Sequence, residues 1–383
     1  MRIAFYAPMK PASSPVPSGD REMARNLIAA LGRHHRVDVA TEFVSRDGKG
    51  DPAVQRQLAI RAQDEARALI GAWRAGPFDR RPDAWFTYHL YHKAPDWIGP
   101  AVSKALQIPY FVAEVSHAPK QAGGPWDIGY RAAETAIKAA DGIVGLSKLD
   151  AACVLPLLDD PGRYHRLAPF TGLSPFTEAA GRRNHLRKII LGRFGLPSAD
   201  PTLLAVGMMR DGDKLDSYRV LAEALGRLAD RRWNLLIVGD GPARPEVEDA
   251  FSGFPEARVS FAGAVAPDDL PGFYAATDLM VWPAVNEAYG MAMLEAQAAG
   301  LPVVAGRTGG VPDVVRHGET GLLCPVGDTV AFADAVDGML ADSERLDAFS
   351  SAALARTSAE NDISAAAETL DRILKSSRKA QAA

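Results

Sequence analysis

Short apolar runs of strand length alternate with longer amphipathic segments along almost the whole chain, and this alternation leaves few folds open. In the first half the runs are RIAFYA (2–7), VDVA (37–40), DAWFTY (83–88), IPYFVAEV (108–115) and GIVGL (142–146). Between them lie helix-length stretches such as DREMARNLIAALGR after Gly19 and PWDIGYRAAETAIKAA after Gly124. The runs are apolar on both faces, as parallel strands covered on both sides require. Strand–helix–strand alternation predicts an open, doubly wound parallel sheet.

Residues 168–185, APFTGLSPFTEAAGRRNH, interrupt this rhythm with Pro, Gly and Thr and read as an interdomain linker. The alternation restarts at TLLAVGM (202–208) and runs through NLLIVGD (234–240), RVSFAG (258–263), DLMVWP (278–283) and LPVVAG (301–306). Two Rossmann-like α/β domains are therefore expected, residues 1–175 and 176–360. Two such sheets facing each other would set their carboxyl-end loops on either side of one central cleft, where ligands of open α/β sheets bind. A chain of 383 residues, 47% apolar and 23% charged, can bury two such cores.

A net charge of −4 argues against a broad nucleic-acid-binding surface. Cys153 and Cys324 lie far apart with no metal-like spacing, which suits a reducing compartment. No run of eighteen apolar residues exists, so no membrane span is expected. MRIAFYAPM is interrupted too soon by Pro8 for a signal peptide. A cytoplasmic location is the expectation.

The richest segment is VWPAVNEAYGMAMLEAQAAGLPVVAGRTGGVPD (281–313). It reads as strand, loop, helix, glycine stop, strand and Gly-rich turn. Gly290 opens the helix; Gly300 closes it, with Pro302 just beyond. The backbone N–H groups of Gly290, Met291 and Ala292, with the helix dipole, form a ready anion site. Glu287 precedes the helix and Glu295 lies about one turn inside it. Carboxylates repel phosphate, so both should face something else, and sugar hydroxyls are natural donors to them.

EAYGMAMLEAQAAGLPV resembles the signature of the family 4 retaining glycosyltransferases, two glutamates separated by seven residues within E-x-F/Y-G-x-x-x-x-E-A-x-A-x-G-x-P-V. Tyr289 and Gly290 hold the aromatic and glycine places. The family's following segments appear as GGVPD (309–313) and GETGLLCPVGD (318–328). The resemblance implies the GT-B fold and transfer of a sugar from a nucleoside-diphosphate donor to a sugar, glycan, lipid or small-molecule acceptor. Retention of configuration is implied too, with no metal and no cofactor besides the co-substrate. It assigns Glu287 to the donor sugar and Glu295 to the ribose. It also implies that a C-terminal helix, within residues 361–383, crosses back to the first domain.

Fixed cations at a departing diphosphate stabilise the transition state more than the ground state. The family places them as G-R-L-x-x-x-K-G after a strand. VGMMRDGDKLDSY (206–218) has Met208 in the arginine's place, so the clamp is expected from Arg210 and Lys214. The DGD at 211–213 could hold a metal; turn residues beside two cations are the preferred reading. NLLIVGDGPARPEVE (234–248) resembles the family's L-x-I-x-G-x-G-P turn, and no dinucleotide GxGxxG follows. RVSFAGAV (258–265) matches the segment that cups the base, which makes Ala264 and Val265 base contacts.

PVPSGDREMARNLIAAL (15–31) keeps one glycine, Gly19, of the family's G-G loop, which by the resemblance presses against the donor diphosphate as well as the acceptor. Asp20 is either an acceptor contact or a helix N-cap. His117, in AEVSHAP, occupies the family's histidine place near the reacting carbon. His89 and His92, in TYHLYHKAP, leave the preceding strand. The basic run RRNHLRKIILGR (182–193) reads as a solvated helix face or as a contact to an anionic membrane. Rival readings are a glycoside hydrolase built on the two glutamates, a catalytically silent GT-B partner subunit, and a nucleotide-sugar epimerase.

Overall fold

The computed structural model describes all residues except 17, 256, 382 and 383, and for 149 and 377–381 it describes the backbone alone. The chain forms two compact units, Met1–Ala168 with Ile363–Ala383, and Pro169–Asp362.

The first unit runs β1 (Arg2–Tyr6), α1 (Gly19–Gly32), β2 (Arg36–Thr41), α2 (Pro52–Ala75), β3 (Ala84–Leu90), α3 (Gly99–Leu106), β4 (Tyr110–Val115), α4 (Asp127–Ala139), β5 (Gly142–Gly145), α5 (Lys148–Val154) and β6 (Tyr164–Arg166). Its strands form one parallel sheet in the order β2-β1-β3-β4-β5-β6. The central strands are buried on both faces: Trp85, Phe86, Phe111 and Val112 are wholly inaccessible. Each contributes on the order of 1.5–3 kcal/mol of apolar burial. Asp96 is buried among them and accepts from Thr87 Oγ1, Tyr110 Oη and the N–H groups of Ile98 and Gly99, so the carboxylate starts α3 and stays satisfied.

The second unit runs α6 (Ser174–Gly181), α7 (Arg183–Arg193), β7 (Thr202–Val206), α8 (Asp213–Gly226), β8 (Asn234–Val238), α9 (Arg244–Ala250), β9 (Val259–Gly263), α10 (Leu270–Ala276), β10 (Leu279–Trp282), α11 (Met291–Ala298), β11 (Val303–Gly306), α12 (Val311–Val314), β12 (Gly321–Cys324), α13 (Thr329–Leu340) and α14 (Ser343–Glu360). Its parallel sheet has the order β12-β11-β10-β7-β8-β9. α15 (Ile363–Gln381) then returns to the first unit. Ala366, Ala367, Leu370, Ile373 and Leu374 lie buried at helical spacing. His34 Nε2 lies 2.9 Å from Glu368 and fastens α15 to the end of α1.

Residues 168–185 are not the open linker that their composition suggests. Most of them are helical, in α6 and α7. Pro175 sits in the first turn of α6, where its missing N–H costs nothing, and Gly181 ends that helix. The basic run is partly internal. Asp278 accepts from Arg183 Nη2 at 2.6 Å and from Arg187 Nη1 at 2.9 Å, as well as from the Thr202 N–H.

In each sheet the winding reverses once, between β1 and β3 in the first unit and between β7 and β10 in the second. The loops beyond the carboxyl ends of these strands hold the position where ligands of open α/β sheets usually bind.

Candidate functional site

At the switch point of the second unit, the passage from β7 into α8 and the loop after β10 bring Lys214, in the first turn of α8, together with Glu287. Lys214 Nζ lies 2.5 Å from Glu287 Oε2, and both side chains are 18% exposed. The indole Nε1 of Trp282 donates to the same carboxylate oxygen at 3.2 Å. Lys214 Nζ stands 5.1 Å from the centroid of that indole, a cation–π contact. Arg210 lies exposed in the passage from β7 into α8, and its guanidinium makes no ion pair among the described residues. Gly212, at φ 78°, makes the turn into α8; Asp213 Oδ2 accepts from Asn286 Nδ2 at 2.9 Å. The DGD segment is thus a turn and a helix start. No group of three or more metal-type ligands occurs among the described residues.

The Glu287 loop is preset. Ala284 and Asn286 both hold left-handed φ, 55° and 50°, strain that persists only when the surroundings over-determine it. Ser217 Oγ accepts from the Val285 N–H at 3.0 Å, and Asp213 holds Asn286, so α8 fastens the loop. Below it, a Cβ on Gly309 would come within 2.0 Å of the Glu287 carbonyl oxygen, so only glycine admits this close approach.

Gly290, at φ 76°, opens α11 with no side-chain cap, which leaves the Met291 and Ala292 N–H groups without an intrahelical partner. Tyr289 is half-buried beside them. Glu295 Oε2, inside α11, accepts from the Tyr274 hydroxyl at 2.9 Å. Burial and the Glu295 charge push the Tyr274 phenol far above its ordinary value, so it remains a donor. Ala264 is exposed and Val265 half-buried just past the end of β9. Gly263 closes that strand at φ 71° and accepts from the Gly239 N–H at 2.9 Å.

The first unit gathers a second group at its own switch point. Ser18, not Asp20, caps α1: its Oγ accepts from the Arg21 N–H at 3.2 Å. Gly19 is exposed, and a Cβ there would meet nothing within 4 Å. Released from capping, Asp20 Oδ1 lies 3.1 Å from His89 Nδ1, and Glu114 Oε1 lies 3.7 Å from the same nitrogen. His89 and Glu114 both have left-handed φ, 61° and 55°. The register Tyr88↔Ala113 and Leu90↔Val115 sets these two kinks side by side on β3 and β4.

Burial lowers the His89 pKa, but Glu114 and Asp20 outweigh it and hold it above the ordinary 6.5. Burial raises Asp20; the bond and charge from His89 bring it below 3.8. Burial and Glu114 push Asp150 up to about 6. The raised His89 value makes its contribution to stability full below 6.5 and lost as pH rises through the folded value. The depressed Asp20 value makes its contribution full above 3.8 and lost as pH falls. Urea unfolding of wild type and Asp20→Asn at about pH 5.5 and about pH 8.5 should show a stability gap that narrows at the higher pH. A gap independent of pH would mean that the pair is not linked to the His89 proton.

The other two histidines turn elsewhere. His92 packs edge-on to Trp126, ring centroids 5.9 Å apart. His117 is 8% exposed, stacks on Tyr130 at 5.1 Å and lies 3.7 Å from Glu134 of α4. Trp282, Tyr274, Glu114 and Asp150 are site neighbours that the motifs do not point to. Glu114 alone leaves a trace in the sequence, as a carboxylate inside an otherwise apolar strand.

Residues 200–342 match the family model described as glycosyl transferases group 1. The D-inositol 3-phosphate glycosyltransferase of Salinispora arenicola is 33% identical over 223 residues, 55% of this chain and 49% of that protein. The N-acetyl-alpha-D-glucosaminyl L-malate synthase of Bacillus anthracis is 33% identical over 153 residues, 39% of each chain. The chain thus spans about half the length, or less, of these curated relatives. Among solved structures, the sucrose-phosphate synthase of Thermosynechococcus elongatus aligns over 99% of both chains with TM-score 0.70 and 21% identity. Anabaena HepE in complex with UDP aligns over 98% of this chain and 100% of that one, with TM-score 0.73 and 17% identity. These likenesses establish the fold, two Rossmann-like domains of the GT-B kind. No helix among the described residues is long and apolar enough to cross a membrane.

Proposed function

We propose that this chain, whose residues 200–342 match the glycosyl transferases group 1, is a member of that family and moves a sugar from a nucleoside diphosphate onto an acceptor hydroxyl. The observation that carries this reading is the Lys214–Glu287 pair at the switch point of the second unit, beside the uncapped start of α11. Lys214, Arg210 and the N–H groups at Met291 and Ala292 supply positive potential for a diphosphate. Glu287 accepts hydrogen bonds from the sugar. Glu295, oriented by Tyr274, accepts from the ribose, and the backbone at Ala264 and Val265 borders the base.

The acceptor oxygen forms a bond to the anomeric carbon as the carbon–phosphate oxygen bond breaks. The acceptor proton passes to the leaving phosphate, whose charge Lys214 and Arg210 hold. Attack on the face that the diphosphate leaves gives retention. With two cations on the phosphates, the reading needs no metal. Gly19, Asp20 and His89 are assigned to the acceptor, and a hydroxyl suits their mixed acid–imidazole chemistry. His117 is assigned to the neighbourhood of the reacting carbon, as the resemblance implies, and His92 to the acceptor loops. Membrane contact through residues 182–193 rests on Arg182, Lys188 and Arg193, because Arg183 and Arg187 are engaged with Asp278.

Thermal stabilisation by UDP, GDP, ADP, CDP and dTDP tests the donor site. UDP, which the HepE structure holds, is the first to try. One diphosphate should raise Tm by several degrees at concentrations well above its Kd, by mass action. No shift with any of them would remove the donor-site reading and bring forward a silent partner subunit.

A further inference from the structure

Glu287 has two hydrogen-bonding partners for its carboxylate among the described residues, Lys214 and the indole of Trp282. The two are not equivalent. Lys214 is the group that a bound diphosphate attracts, and a lysine ammonium on a flexible stem follows the stronger charge. The Trp282 N–H carries no charge for a phosphate to draw away. Its ring has nowhere to go: Trp282 is 2% exposed, at the carboxyl end of β10.

The surroundings fix the indole. The Tyr218 ring meets it edge-on, centroids 5.1 Å apart at 81°, and the Tyr218 hydroxyl donates to the Gly207 carbonyl at 2.7 Å. A Cβ on Gly207 would stand 2.8 Å from the indole, so glycine there leaves the room that the ring occupies. An aromatic N–H is therefore held rigidly beneath the carboxylate, at the end of an otherwise aliphatic strand, LMVW.

We propose that Trp282 is a positioning residue of the donor site, whose indole N–H keeps the Glu287 carboxylate aimed at the donor sugar when Lys214 turns to the diphosphate. The ring face beneath Lys214, 5.1 Å from Nζ, guides that lysine between its two partners. This inference rests on the donor-site reading above and deepens it, because it assigns the orientation of Glu287 to a side chain outside the family motif.

The test compares wild type, Trp282→Phe, Glu287→Ala and the double variant. The five diphosphates are used for binding, and nucleotide sugars of whichever base binds are used for turnover, read as diphosphate release. Trp282→Phe should bind the diphosphate within about threefold of wild type, because Lys214 keeps an aromatic platform. Its turnover should fall about tenfold, the order expected for one lost orienting hydrogen bond. In the Glu287→Ala background the same substitution should cost less than about twofold, because the indole has nothing left to hold. Equal fractional losses in both backgrounds, or unchanged turnover in Trp282→Phe, would overturn the role. Should Trp282→Phe fail to fold, replacing Trp282 by its benzothienyl analogue removes the N–H at constant shape, and the same two-background comparison decides. If wild type binds no diphosphate or consumes no nucleotide sugar, the donor-site reading falls and takes this inference with it. Normal donor binding with no Trp282 effect overturns this inference alone.

Discussion

Replacing Glu287 by alanine is expected to cut turnover by about 100-fold or more, while affinity for the diphosphate alone stays at or above the wild-type level. The carboxylate sits on a loop whose conformation is costly, with left-handed Ala284 and Asn286 held by Ser217 and Asp213. Such preorganisation serves a group that must already be in place when charge develops on the sugar. A lost contact realised chiefly in the transition state lowers turnover without weakening ground-state binding. The diphosphate, by contrast, gains: Lys214 is no longer shared with an anion 2.5 Å away.

Folding should change little. The pair is mostly but not fully buried, and Lys214 retains the Trp282 ring beneath it and part of its exposure to solvent once Glu287 is gone. The checks are steady-state turnover of a nucleotide sugar, diphosphate affinity by calorimetry and thermal unfolding of both proteins. Unchanged turnover would remove Glu287 from the reaction. A large loss of Tm would show that the residue holds the fold rather than the sugar.

Ten of the twelve strands among the described residues are legible as apolar runs, because buried parallel strands tolerate few polar residues. The two that are not, β6 and β12, lie at sheet edges. Tyr164–Arg166 reads YHR, with no aliphatic residue, as an edge strand with one side toward solvent permits. The segment 168–185 misled for a different reason. Proline and glycine punctuate helices as well as loops, and α6 packs its Phe176 against Tyr274 of α10, far along the chain.

The site was legible in proportion to how local its geometry is. Glu287, Gly290 and Glu295 lie within one strand–loop–helix passage, so their spacing alone brings them to one place. Lys214 meets Glu287 only because β7 and β10 are neighbours at the reversal of the sheet, and no spacing between residues 214 and 287 encodes that adjacency. The same holds for Asp20, which lies after β1, and His89, which lies at the end of β3. The cap of α1 was ambiguous in sequence, since Ser18 and Asp20 are both good capping residues. The structure assigns it to Ser18, and Asp20 is thereby left to face His89.

Lys214→Ala should weaken diphosphate binding by about 1–3 kcal/mol, roughly five- to 150-fold, the range for a charge-assisted contact. Two effects add. The ammonium is lost, and Glu287 is left with only the Trp282 N–H, an uncompensated carboxylate close to the incoming anion. If the second effect operates, the double variant Lys214→Ala/Glu287→Ala will bind the diphosphate more tightly than Lys214→Ala does, a sign of coupling between neighbours. The charge contribution also predicts that added salt weakens diphosphate binding to wild type more steeply than to Lys214→Ala. Isothermal titration of the three proteins at two ionic strengths resolves these contributions. Equal affinity in wild type and Lys214→Ala would move the clamp to Arg210, the other cation after β7, and the pairing with Glu287 would then serve the loop rather than the donor.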